Sequence, residues 1–297
     1  MLTPTNIWMS VLGVAYFAAG VIVLRKEIGA ACGIDKLIAL ASVFIAASLA
    51  AFAPEHFRGP EFVKGMVPSW MPGHAIWAYV VGCALITAAT SLTLRKLERL
   101  SATMLGLMFF LFVCLIYIPS AIENYSDRLA WALLLRDLSF AAGCWALAGV
   151  YRRDSSPQLS RWMILFARVV LSIAAIVFAA QHLMHPEFAP GVPLEKITPA
   201  WVPLARLWGY LAGAILLVAG TCLALNKQSR RAAATIGALM TALTLFFYLP
   251  ILIHSLGGSP DDINDGINYV ADTLLYAGAA LALAMALPRD SAAAGEP

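Results

Sequence analysis

The sequence predicts an all-α protein: a polytopic membrane helix bundle of about nine transmembrane helices. It reads as two parallel four-helix repeats plus an extra N-terminal helix. Three observations lead there. Of 297 residues, 61% are hydrophobic and only 12% charged, and the mean hydropathy is +0.80. A soluble globular chain is about 45–50% apolar and about 25% charged, so lipid must be the solvent for much of this one. Apolar runs long enough to cross the hydrocarbon core recur along the chain, and a set of polar and aromatic residues recurs at fixed offsets. The same composition excludes disordered, collagen-like and disulfide-scaffold classes.

The apolar stretches lie at 7–24, 37–53, 75–94, 100–122, 129–151, 162–183, 207–225, 232–253 and 269–287. The first has no basic n-region and no small-residue cleavage site, so it is expected to be a retained helix and not a signal peptide. Between the stretches, basic residues alternate. Arg25, Lys26 and Lys36 fill one loop, then Arg95, Lys96 and Arg99, then Arg152, Arg153 and Arg161, then Lys227, Arg230 and Arg231, with Arg289 at the tail. The intervening loops hold only Arg58, Lys64, Arg128 and Lys196. By the positive-inside rule this split places the N-terminus outside and the C-terminus in the cytoplasm of a bacterial-type inner membrane. The expected divisions are an N-terminal helix and loop (1–35), a first unit (36–151), a second unit (160–288) and a disordered tail (289–297).

Short motifs carry little. Cys32, Cys83, Cys114, Cys144 and Cys222 are scattered singly, with no pair spaced for a dithiol or a thiolate metal site. No phosphate loop, nucleophile elbow, zinc-protease helix or dinucleotide fingerprint is present. The basic clusters are short and lack aromatic context, so no nucleic-acid partner is expected.

The internal repeat is more informative. Phe52-Ala-Pro-Glu-His56 and Pro60-Glu61-Phe62 return as Phe178-Ala-Ala-Gln-His182 and Pro186-Glu187-Phe188. After a five-residue insertion, Gly191-Val-Pro-Leu-Glu195, Pro68-Ser-Trp70-Met-Pro72 returns as Pro199-Ala-Trp201-Val-Pro203. Trp77, Tyr79 and Gly82 match Trp208, Tyr210 and Gly213; Tyr117-Ile-Pro119 matches Tyr248-Leu-Pro250; Asp137 through Gly143 matches Asp272 through Gly278. Four helices separate equivalent points, so the units share one orientation, unlike inverted transporter repeats. Nearly every matched polar or aromatic residue falls toward the outer side.

Those positions supply the candidate site. His56 and His182 close the first helix of each unit, and imidazole suits a quinone carbonyl, a metal or a haem iron alike. A helix-end histidine capping carbonyls is the competing reading. Asp137 and Asp272 lie inside apolar helices, where a carboxyl costs about 2.5–3.5 kcal/mol on insertion scales and so faces a cavity or a partner. Arg136 adjoins Asp137, but helical neighbours point about 100° apart, so it is expected to serve another partner. Trp70 and Trp201, each between two prolines, are expected to fold back over the helix ends as lids or to join an aromatic belt. Tyr117 and Tyr248 complete the set. Glu55, Glu61, Glu123, Glu187 and the Asp261-Asp262…Asp265 run read as a solvated acidic outer face.

The order of a helix ending in His, a Pro-Glu-Phe, then Val67-Pro-Ser-Trp-Met-Pro72 leading into Trp77…Gly82 resembles the DoxX family of small four-helix membrane proteins. The resemblance covers residues 36–287 as two copies. The second departs from the pattern by the insertion at 191–195 and by Ile197-Thr198 in place of Met66-Val67. The family includes members linked to quinone-dependent sulfur oxidation and to membrane redox-defence complexes. The resemblance therefore implies an outward-facing pocket that holds a quinone or other small hydrophobic redox ligand. His56, His182, Trp70, Trp201, Tyr117 and Tyr248 would contact it, and Asp137 and Asp272 would carry protons. Haem or metal between the histidines ranks below quinone, and electrons would come from a soluble or membrane redox partner or the quinone pool. The alternative is a non-enzymatic transporter coupled to protons, or an assembly factor, although no broken helix is expected in the second or third crossing of a unit.

Overall fold

The computed structural model describes residues 2–58, 63–152, 155–193 and 196–289. They form ten helices: α1 (Pro4–Ala30), α2 (Asp35–Ile38), α3 (Ala41–Arg58), α4 (His74–Leu94), α5 (Glu98–Glu123), α6 (Arg128–Arg152), α7 (Pro157–Met184), α8 (Ala205–Ala224), α9 (Ser229–Ser255) and α10 (Pro260–Ala286). Among the described residues, eight helices are long and apolar enough to cross a membrane. The ninth expected crossing, 37–53, is divided between α2 and α3, with Ala39 and Leu40 interrupting the helix. The ending Glu55-His56-Phe57-Arg58 lowers the apolar content of α3 further. The tail beyond Arg289, expected to be disordered, lies outside the described residues, as does Pro60-Glu61-Phe62.

Local chemistry sets the helix starts. Thr3 caps α1, its side chain accepting from the Asn6 amide at 3.1 Å, and Pro4 opens the first turn. Ser259 and Asp262 form a reciprocal capping box on α10, with Pro260 in the first turn. That box corrects the reading of Asp261, Asp262 and Asp265 as a loop: all three lie in the first turns of α10, where carboxylates favour the positive end of the helix.

Helices α3, α6, α7 and α10 form the centre, with α10 packed on α3, α6 and α9, and α6 packed on α7. Leu49, Leu147, Leu171, Phe178 and Tyr276 are fully buried there. Small residues bring the central helices close: a Cβ at Gly143 of α6 would collide with Ala279 of α10, and one at Gly278 would lie 3.0 Å from the Ala41 carbonyl of α3. The outer helices turn apolar side chains outward, including Val14, Ile76, Val218 and Phe246.

Polar links mark the two ends of the bundle. At one, Arg230 donates to Asp35 at 2.7 Å, Arg289 reaches the same carboxylate at 3.1 Å, Arg95 pairs with Glu27, and Arg99 donates to Ser155. At the other, the Asn6 amide donates to the Pro260 carbonyl at 3.0 Å, and Asn264 and Asn268 of α10 donate to Glu55 at 2.7 and 2.8 Å.

Two irregularities match the sequence repeat. A π turn interrupts α5 at Val113–Tyr117 and α9 at Thr244–Tyr248, in both cases just ahead of a proline, Pro119 or Pro250. Proline has no N–H to donate back along the helix, and the wider turn absorbs the break. The third long helix of each half thus carries a wider turn but runs on as one continuous helix, as expected. Likewise the Trp77 indole donates to the Pro72 carbonyl at 3.1 Å, and Trp208 to Pro203 at 3.2 Å.

Candidate functional site

A cavity of about 820 Å³ lies among α3, α4, α5, α6 and α10. Most of its wall is apolar, with Phe52, Leu85, Met108 and Phe140 among the residues lining it. Val80, Cys83 and Thr87 of α4 and Met104 and Leu111 of α5 line it and are also exposed, so it opens sideways between these two helices. At the end near Glu55, the segment bearing Met66, Val67, Pro68 and Met71 closes over it.

Its polar wall is built around Arg136. The guanidinium donates through Nε and Nη2 to Asp137 Oδ2 at 3.0 and 2.9 Å, and through Nη1 to Asp272 Oδ2 at 3.0 Å. Nη2 also donates to the Tyr117 hydroxyl at 3.3 Å. Tyr117 is the last residue of the π turn, and the altered register aims it at the cavity. Arg136 does serve another partner, Asp272, as expected, and it holds Asp137 as well. Its neighbour on the helix is a partner too, because a long side chain folds back over the 100° between successive residues and still spans to α10. Two carboxylates thus share one guanidinium in a buried setting, where each ion depends on the others for its solvation.

Glu55 and His56 complete this wall. Glu55 lines the cavity and is held by Asn264 and Asn268, so it belongs to no solvated acidic face. The His56 Nδ1–H donates to the Phe52 carbonyl at 3.1 Å, which leaves Nε2 as an acceptor with no partner among the described residues. Sequence reasoning missed Glu55, Arg136 and Asn268 as site residues. The one local signal was Arg136 itself, a cation within an apolar run.

The structure does not bring all the expected residues together. His182 is buried, with Nε2 2.9 Å from the Gly191 carbonyl oxygen and 3.0 Å from its amide nitrogen, and it lies outside the cavity lining. The two histidines therefore do not face one ligand. Tyr248 is also outside, its hydroxyl donating to the Pro190 carbonyl at 2.6 Å. Trp70 is 68% exposed and does not line the cavity, although its neighbours Pro68 and Met71 do. Trp201 packs its ring 5.0 Å from His254. The expected lids are thus formed by the segment in the first case and not by its tryptophan. Asp137, Asp272, Tyr117 and His56 do converge. Among the described residues, no three His, Cys, Asp or Glu side chains gather as a metal site.

The model of a domain of unknown function (DUF8561) matches residues 45–147. That stretch runs from α3 into α6, and so covers four of the five helices that line the cavity while leaving α10 with Asp272 outside it. No curated protein matches the chain, and no solved structure does.

Proposed function

We propose that the chain is a DoxX-like integral membrane protein of two duplicated four-helix units plus one helix, crossing a bacterial-type inner membrane nine times with its N-terminus outside. In this reading the cavity binds a quinone or similar small redox ligand, and the protein serves as a subunit of a membrane oxidoreductase fed by a redox partner. The observation that carries it is the placement of Arg136, Asp137, Asp272 and Tyr117 on the wall of an otherwise apolar cavity that opens sideways between α4 and α5. A ring with carbonyl oxygens needs an apolar slot, a hydroxyl or guanidinium donor for its oxygen, and carboxylates to exchange protons as it is reduced. Tyr117 and Arg136 supply the donors; Asp137 and Asp272 supply the carboxylates. The recurrence of the π turns and of the Trp–Pro hydrogen bonds at the same repeat positions supports the duplication.

Titrating decylubiquinone into the purified chain in lipid nanodiscs tests the reading. Saturable binding, weakened at least tenfold by Tyr117→Phe combined with Asp272→Asn, is the expected result. Absence of binding, or binding indifferent to that double substitution, rejects it. Vesicles carrying a pH gradient should take up no more of the probe than protein-free vesicles do, whereas a proton-coupled transporter would raise the uptake above that level.

A further inference from the structure

The second half of the bundle has the same histidine and tyrosine as the first, but its cavity is filled. Residues 189–193 are all buried, and Ala189 and Val192 join the apolar core at 5% and 4% exposure. They form the tip of a short hairpin whose arms pair Ala189 with Lys196 and Thr198 with Glu187, with a bridge between Phe188 and Ile197. The tip reaches the residues that answer to the first cavity's wall. Tyr248 donates to the Pro190 carbonyl at 2.6 Å, and the Gly191 amide lies 3.0 Å from His182 Nε2. One peptide group is thus gripped at both edges, its oxygen by the tyrosine and its N–H by the histidine. Gly191 has φ +113°, a backbone conformation that residues with a Cβ rarely adopt, so the turn that brings this peptide to Tyr248 and His182 favours glycine.

Among the described residues, no such tip lies between Tyr117 and His56, the matching residues of the first half. The insertion Gly191-Val-Pro-Leu-Glu195 is what the first half lacks. The Tyr117 hydroxyl accepts from Arg136 and lies beside the Asp137 carboxylate on the cavity wall, and His56 Nε2 is an acceptor. Arg136 is matched in the second half by Ala271, so the charged wall also exists only once.

We infer that the tip at residues 189–193 is a built-in occupant of the second half, standing where an external ligand sits in the first. The chain therefore holds one open site, whose ligand presents a carbonyl oxygen to the Tyr117 hydroxyl, with His56 Nε2 placed to accept from the O–H that a quinone ring gains when it is reduced. This deepens the proposed ligand site and rests on it for the ligand, but the occupied state of the second half is testable without any ligand.

In a background with the five native cysteines replaced, Phe112→Cys, on the first cavity's wall, and Leu243→Cys, its repeat equivalent against Gly191, are labelled with N-ethylmaleimide. In the intact chain Phe112→Cys should react at least tenfold faster than Leu243→Cys. Deleting residues 191–195 should raise Leu243→Cys to a comparable rate. Decylubiquinone should protect Phe112→Cys in the intact chain, and Tyr117→Phe should abolish the protection. Equal labelling of the two cysteines in the intact chain overturns the inference without recourse to the deletion variant. A folded deletion variant in which Leu243→Cys stays shielded also overturns it. Unequal labelling without protection by decylubiquinone leaves the occupied second half standing and rejects the quinone.

Discussion

Arg136 Nη1 lies 3.0 Å from Asp272 Oδ2, across 136 residues of chain and between two helices that touch through Gly143 and Ala279. The same guanidinium holds Asp137 and touches the Tyr117 hydroxyl. One cation thus joins α5, α6 and α10 at the wall of the cavity.

Removing that cation should be costly. Arg136→Met leaves two buried carboxylates without a partner, and breaking a buried ion pair from one side costs about 3–5 kcal/mol. The triple variant Arg136→Met, Asp137→Asn, Asp272→Asn should recover most of the loss, because no unpaired charge remains. Thermal unfolding of the purified variants in detergent measures both, and a single variant as stable as the wild type would contradict the arrangement.

The two matched tyrosines should behave differently. Tyr248→Phe leaves the buried Pro190 carbonyl without its donor and should cost about 1–3 kcal/mol of stability, with ligand binding through the first half unchanged. Tyr117→Phe should leave the melting temperature within a degree or two and weaken ligand binding. Melting curves and titrations on the same two preparations check the pair.

Close helix packing gives a third outcome. Gly143→Ala must push α6 from α10, and forcing a methyl into a packed interface costs about 1–3 kcal/mol. It should also loosen the Arg136–Asp272 contact and reduce ligand affinity. Gly29→Ala, with nothing within 4 Å of its added methyl, is the control and should change neither.

Asp35 supplies a pH dependence. Its hydrogen bond from Arg230 holds the carboxyl below the usual carboxylate range, with Arg289 adding to the effect and burial opposing it. A group whose folded-state pKa is depressed contributes stability above its unfolded pKa of about 3.9, and loses it as pH falls through the folded value. Wild type should exceed Asp35→Asn by about 0.5–1 kcal/mol at pH 7, the range for a partly exposed ion pair. The difference should shrink below pH 4 and vanish once the pH has fallen below the folded value. Unfolding at a series of pH values, at constant ionic strength, reads it directly.

The helices were legible because each apolar run had to be buried in something, and run length alone separates crossings from loops. Ends were less legible. The Ser259–Asp262 capping box extended α10 into what reads as an acidic loop, since a carboxylate serves a helix start as readily as solvent. Asp137 and Asp272 stood out through the cost of placing a carboxyl in hydrocarbon. Glu55 did not, because its partners Asn264 and Asn268 lie more than 200 residues away and no local pattern links them. Matching residue types misled for His182 and Tyr248: the repeat preserved the side chains, while a five-residue insertion changed what they hold.

The sideways mouth between α4 and α5 sets how a ligand is measured as much as how it arrives. A molecule reaching Tyr117 through that mouth comes from the bilayer, so its working concentration is its mole fraction in lipid. Affinity quoted against total aqueous concentration will then include a partition coefficient and will drift with the amount of lipid or detergent in the assay. A longer alkyl tail will look like a tighter binder even where the head group is gripped no better, and only titrations at fixed lipid-to-protein ratio will separate the two.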